Sequence, residues 1–204
     1  MGISPRQLEA MQQRLAGRKP AGRRPDPVPG GPGVAEEPAR VILGVDPSLR
    51  GTGLGVVELT PEGPVCRHFE VLRCPAGWSR TQCLLRIAEG TRDVLGRFGP
   101  EACAVEGLFH ARNVRTALIM GEARGACLAM VAAAGLAVYE LAPRKVKQAI
   151  VGYGGAGKEA VARMVQRMLG LAEAPPPDAA DALALALAFA QEQKRLARSG
   201  PQRL

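Results

Sequence analysis

The sequence predicts an α/β fold, a mixed β-sheet flanked by helices. Two observations predict it. Three apolar strand-like runs joined by Gly/Pro turns open the ordered part, and from Ser79 onward helical and strand periodicities alternate. Hairpin strands followed by alternating helix and strand bury their apolar faces as a sheet covered by helices. At 204 residues, with 47% hydrophobic and 23% charged residues, the chain suits one globular domain plus tails.

Residues 1–39 hold seven of the seventeen prolines, and Gly17 to Pro38 sustains neither helix nor strand. This segment is expected to be a disordered Pro/Gly/Arg-rich extension. A short helix over residues 4–16 fits within it, with Ser4 as N-cap and Pro5 at the first helical position. It lacks the apolar core of a secretory signal. Arg6 breaks the myristoylation pattern.

The folded domain is expected over residues 40–191. Val41 to Val45 is an apolar strand ending at Asp46-Pro47, and Gly51 to Leu59 and Val65 to Arg73 are the next two strands. Ser79 to Phe98 has helical spacing and is stopped by Gly99-Pro100. Ala102 to Val105 is a short strand ending at Glu106. Val114 to Ala134 is a long Ala-rich helix closed by Gly135, and Leu136 to Leu141 is a strand. Pro143 to Val151, Lys158 to Leu169 and about Asp178 to Arg195 are the remaining helices. Residues 192–204 form a basic tail.

The net charge of +8 is concentrated at the ends. Residues 1–40 and 191–204 each carry +3, and the residues between carry +2. Basic ends suit a polyanionic partner. The five cysteines, Cys66, Cys74, Cys83, Cys103 and Cys127, are an odd number without a CxxC pair. They are expected to be buried thiols in a reducing, cytoplasmic setting. The apolar run Ala182 to Ala190 is too short for a bilayer, which takes about 20 residues, so no membrane association is expected.

Four carboxylates stand out. Asp46 and Glu106 each close an apolar strand, where an unpaired charge is costly. If those strands are neighbours the two acids converge and need a cation or a proton between them. Asp178 and Asp181 are three apart on the first turn of a helix and share a face. One aspartate satisfies the cap and the helix dipole, and the second exceeds that need. Four carboxylates from three segments make a hard-oxygen site suited to Mg²⁺ or Mn²⁺. Two such ions about 3.5–4 Å apart activate a water and stabilise a leaving oxygen in phosphodiester hydrolysis.

The blocks GVDPSLRGTGLGVVE, VEGLF, VKQAIVGYGGAGK and DAADALALAL together resemble the RuvC family of bacterial Holliday-junction resolvases, over about Val41 to Ala190. The resemblance implies an RNase H-like fold with a five-stranded mixed sheet. It places the family's catalytic, metal-binding acids on Asp46, Glu106, Asp178 and Asp181. It implies two Mg²⁺ per site, with Mn²⁺ able to substitute, and cleavage leaving 5′-phosphate and 3′-hydroxyl ends. Asp46 with Asp178 or Asp181 would hold one ion, and Glu106 with Asp46 the other. The resemblance also implies four-way junction DNA as substrate, a homodimer and the RuvA–RuvB branch-migration complex as partner. The 40-residue extension departs from the family pattern.

For DNA, the resemblance points to Phe109 as a base-stacking wedge and to Lys147 and Lys158 against the backbone. Stacking of this kind is worth about 1–3 kcal/mol per base. Arg112, Arg115, Arg144 and Lys145 complete a basic set expected near the acids. Gly152 to Lys158 (GYGGAGK) matches GxGxxG and GxxxxGK. It follows a predicted helix and precedes Glu159, whereas a phosphate loop follows a strand and carries Ser/Thr after its Lys. It is expected to be a glycine-rich connection between helices. Gly121-x-x-x-Gly125 in the long helix fits close packing inside the monomer, and the resemblance makes that helix the dimer interface. Two other readings stay open at this level, a junction-binding module without nuclease activity and an actin-like ATPase or sugar kinase. Asp46-Pro47-Ser48, in place of Asp-x-Gly, speaks against the latter.

Overall fold

The structure is a computed structural model and describes residues 38–107, 114–193 and 202–203. Six strands form one sheet, β1 (Val41–Asp46), β2 (Gly51–Thr60), β3 (Gly63–Arg73), β4 (Ala102–Glu106), β5 (Ala137–Leu141) and β6 (Gln202–Arg203). The helices are α1 (Arg80–Phe98), α2 (Val114–Ala133), α3 (Pro143–Val151), α4 (Lys158–Leu169) and α5 (Pro177–Gln193). The helix expected at 4–16 lies outside the described residues.

The strand order is β3-β2-β1-β4-β5-β6. β1, β2 and β3 form the expected antiparallel meander. β4 runs parallel to β1 and β5 parallel to β4. The expected five-stranded mixed sheet is therefore present, and it gains a two-residue sixth strand, β6, antiparallel to β5. That strand comes from the segment expected to be only a tail.

The pleat sends alternate side chains to opposite faces, which creates two cores. Leu43, Val45, Leu54, Val56, Cys103 and Val105 meet α1 and α2 through Ile87, Val94, Ala123, Cys127 and Val131. Ile42, Val57, Ala102 and Ala104 meet α3, α4 and α5 through Val146, Val161, Val165 and the run Leu183–Ala190. α5 is buried along almost its whole length, which explains an all-apolar helix in a small domain.

Helix ends follow local chemistry. Ser79 caps α1 in a reciprocal capping box with Gln82. Pro143 opens α3, and Gly152 closes it in the left-handed conformation. All five cysteines are free, four buried and Cys66 half-buried. Burial pushes the Cys127 thiol up to about 11, which keeps it protonated and unreactive.

α2 departs from expectation. It is long and apolar enough to cross a bilayer, so the chain does contain one such helix. Ala123, Arg124, Cys127 and Val131 are buried, which makes α2 a layer of the domain. Its outer face is apolar, with Val114 76% and Leu118 63% exposed. A Cβ placed on Gly121 or Gly125 would meet nothing within 4 Å, so packing inside the monomer does not account for these glycines.

Candidate active site

Strand parity builds the first half of the site. Ile42 and Gly44 face α5, so Asp46, two residues on, points to the same side. Ala102 and Ala104 do the same for Glu106. β1 and β4 are parallel neighbours in register, Val45 opposite Val105. The two acids therefore emerge side by side at the carboxyl ends of adjacent strands.

Close approach of α5 builds the second half. A Cβ on Gly44 would lie 1.9 Å from the Ala182 carbonyl oxygen, and one on Gly53 would lie 1.9 Å from the Asp178 carbonyl oxygen. Both contacts are with helix backbone, so only glycine permits this distance. The glycines lower α5 onto β1 and β2 and bring its first turn, with Asp178 and Asp181, to the acids on the strands. Strand periodicity alone does not mark these glycines as functional. Their alternation along GVDPSLRGTGLG is the signal that could have found them.

The result is a cleft of about 170 Å³ lined by Asp46, Glu106, Asp181, Lys147 and Lys158, with Pro143, Val146, Val161 and Leu185 as apolar walls. Asp178 borders it, its carboxylate against Gly51 and 4.0 Å from the Lys158 Nζ. Lys158 Nζ lies 3.1 Å from Asp181 Oδ2.

The charges are strongly coupled. Desolvation by burial, then Glu106 and Asp181, push the Asp46 carboxyl up to about 7 against the partial relief of Lys158. Burial and Asp181 raise Glu106 in the same way, while Lys158, Lys147 and a hydrogen bond from Asp46 hold it down. Both carboxyls are thus held toward the protonated form, and Asp46 hydrogen-bonds to Glu106. Burial disfavours the charged Lys158, but its hydrogen bond to Asp181 and the fields of Asp181, Asp46 and Asp178 outweigh that and raise its pKa. Lys158 supplies a cation among the converging acids, and burial favours a proton on Asp46.

The structure thus brings together Asp46, Glu106, Asp178, Asp181, Lys147 and Lys158. Lys158 stands inside the carboxylate cluster, whereas the expectation was contact with a DNA backbone. Arg115, Arg144 and Lys145 do not line the cleft, so the basic set is less tightly gathered than expected. Arg144 lies over Gly154. Phe109 and Arg112 lie outside the described residues. The glycine-rich segment joins α3 to α4, with Gly157 as the N-cap of α4, so it lacks the strand a phosphate loop needs.

Among the described residues no three His, Cys, Asp or Glu side chains stand close enough to hold an ion as they are. The donor set still fits a hard divalent cation. It offers carboxylate oxygens alone, and the Lys158 ammonium already offsets part of their repulsion. A divalent ion can take over that role.

The family model described as "Crossover junction endodeoxyribonuclease RuvC" matches residues 42–189. A curated RuvC of Chloroflexus aggregans is 47% identical over 161 residues, 78% of this chain and 97% of that protein. One from Moorella thermoacetica is 45% identical over 151 residues, 74% of this chain and 90% of that protein. The solved structure of Thermus thermophilus RuvC in complex with Holliday junction substrate superposes with a TM-score of 0.73 at 41% identity, covering 80% of this chain and 99% of that one. The yeast mitochondrial Holliday junction resolvase Ydc2 shares the fold, with a TM-score of 0.56 at 11% identity, over 76% of this chain and 81% of that one.

Proposed function

The chain belongs to the RuvC family of crossover junction endodeoxyribonucleases, and on that premise we propose that it is a divalent-metal-dependent Holliday junction resolvase acting in DNA recombination and repair. The observation that carries this reading is the meeting of Asp46, Glu106 and Asp181, with Asp178 at the rim, around a small cleft that also holds two lysines. The nuclease domain is residues 40–191, with residues 1–39 and 192–204 as basic extensions.

In this reading Asp46, Glu106, Asp178 and Asp181 would hold two Mg²⁺ ions, with Mn²⁺ able to substitute. Bound there, the ions would activate water and stabilise the leaving oxygen of a phosphodiester. The chain's own groups set the conditions. A divalent ion held there would favour the charged form of Asp46, and Lys158, now 3.1 Å from Asp181, would be placed to meet a phosphate. Lys147 supplies a second positive charge at the cleft wall. The apolar walls limit water access and strengthen these interactions. Arg115, Arg144 and Lys145 add phosphate contacts that carry no sequence information and make binding salt-dependent. Phe109 stacks on a junction base and Arg112 adds to the basic surface. The products are 5′-phosphate and 3′-hydroxyl ends.

The exposed apolar face of α2, with Leu118, Gly121 and Gly125, supports a homodimer across a two-fold axis. Two symmetric sites match a substrate with near two-fold symmetry. The RuvA–RuvB complex is the proposed partner and the bacterial cytoplasm the proposed site of action.

The test is cleavage of a mobile four-way junction against linear duplex, with Mg²⁺ and with EDTA. The reading expects paired symmetric nicks in the junction alone and only with metal. Equal cutting of duplex, or cutting in EDTA, would refute it.

A further inference from the structure

Trp78 is the only tryptophan in the chain. It sits in the loop between β3 and α1 and is 38% exposed. A single exposed aromatic is ordinary on a protein surface. The way this loop is held is not. Arg50, in the turn between β1 and β2, donates from Nη1 to the Pro75 carbonyl at 2.5 Å and to Cys83 Sγ at 3.3 Å. From Nη2 it donates to the Trp78 carbonyl at 3.1 Å. The Trp78 amide donates to the Pro75 carbonyl at 3.0 Å, and the Cys74 amide to the Arg50 carbonyl at 3.1 Å. Ser79 then starts the α1 capping box. The backbone on both sides of the indole is tied down while part of the ring stays in water.

The loop also stands at the site's end of the sheet. Arg50 is four residues beyond Asp46. β3 ends where Arg73 pairs with Gly51, and Gly51 abuts the Asp178 carboxylate. Val71 to Ala88 contains Arg73, Arg80 and Arg86 and no acidic residue. Arg80 is engaged by Glu122 at 3.1 Å. Arg73 is exposed and makes no ion pair among the described residues. A partly exposed indole on a loop whose backbone is held, with the unpaired guanidinium of Arg73 at the end of the adjoining strand, suits a nucleic-acid strand crossing this end of the sheet, a base on the ring and a phosphate on the arginine.

We propose that Trp78 stacks on a base of the bound junction beside the cleft while Arg73 takes an adjoining phosphate, with Arg50 as the residue that positions the loop. The proposal rests on the junction-cleaving function and adds a second DNA-binding element to it.

The sole tryptophan gives a direct readout. The full-length protein is titrated with a four-way junction in EDTA, following gel mobility and tryptophan fluorescence together. Stacking predicts quenching that tracks the mobility shift and shields the ring from acrylamide. Trp78→Ala is expected to weaken junction binding about 5- to 150-fold. Trp78→Phe should restore most of that loss, and Arg73→Gln should flatten the salt dependence. A shifted junction with unchanged fluorescence and unchanged acrylamide access overturns the proposal, as does wild-type affinity in Trp78→Ala. Fluorescence that changes with protein concentration alone would place Trp78 in a subunit contact, which also overturns it. Absence of any junction binding would refute the resolvase reading itself, a separate result.

Discussion

Replacing Gly53 with alanine tests how the site is assembled without touching an ionisable group. The new Cβ would lie 1.9 Å from the Asp178 carbonyl oxygen and 2.5 Å from its carbonyl carbon, where ordinary contact begins near 3.4 Å. The clash is with backbone, so no rotamer relieves it, and the start of α5 must retreat by about 1.5 Å, the difference between 3.4 and 1.9 Å. Overpacking of this kind costs about 1–3 kcal/mol. The catalytic cost is larger in proportion, because the retreat carries Asp178 and Asp181 away from Asp46 and Glu106. A misplacement of about 1 Å is worth roughly 10²-fold in rate. Junction cleavage at saturating Mg²⁺ should fall at least that far while circular dichroism still reports a folded protein. Gly96→Ala is the control. Gly96 is exposed in α1, where a Cβ would meet nothing within 4 Å, and alanine there should add up to about 1 kcal/mol of stability with cleavage unchanged. Wild-type cleavage by Gly53→Ala would show that the seat of α5 does not position the carboxylates.

Three further outcomes are expected. Asp46 has a folded pKa of about 7 against an ordinary value of 3.8, so between those values the native state binds more protons than the unfolded state. Its contribution is therefore full below about pH 4 and is lost as pH rises through about 7. Metal-free protein should lose thermal stability from about pH 4 to about pH 7 and level off above that, and Mg²⁺ should reverse the trend; a flat metal-free profile would contradict the coupling. Lys158→Met removes a charge that lowers both Asp46 and Glu106. Carboxyl carbon NMR of the metal-free variant should show both titrating at higher pH, and unchanged titrations would remove Lys158 from the cluster. Phe189 is 1% exposed and packs against Tyr139 with ring centroids 4.5 Å apart. Phe189→Ala should cost about 3–5 kcal/mol in urea unfolding.

Much of this site is legible in the sequence, because its signals are local. Apolar strands that end in acids announce themselves, and so does a helix whose first turn holds two aspartates. Strong punctuation sets α3 and α4 to the residue, through Pro143, Gly152 and the glycines flanking Lys158 to Leu169. What stays hidden depends on distance across the fold. Gly44 and Gly53 look like weak strand residues until α5 is seen lying on them. The first-turn position of Lys158 in α4 does not reveal that its ammonium turns into the acids. The Arg50 clamp joins segments 25 residues apart or more. The apolar outer face of α2 is masked by its alanine and glycine content, which suits a buried helix as well as an exposed one.

The most direct test is anomalous diffraction from crystals soaked in Mn²⁺. The account predicts manganese in the cleft, coordinated by Asp46 and Glu106 from the strands and by at least one of Asp178 and Asp181 from α5, with the Lys158 ammonium moved off Asp181. Manganese bound elsewhere, or held by the strand acids with both α5 aspartates turned away, would contradict it.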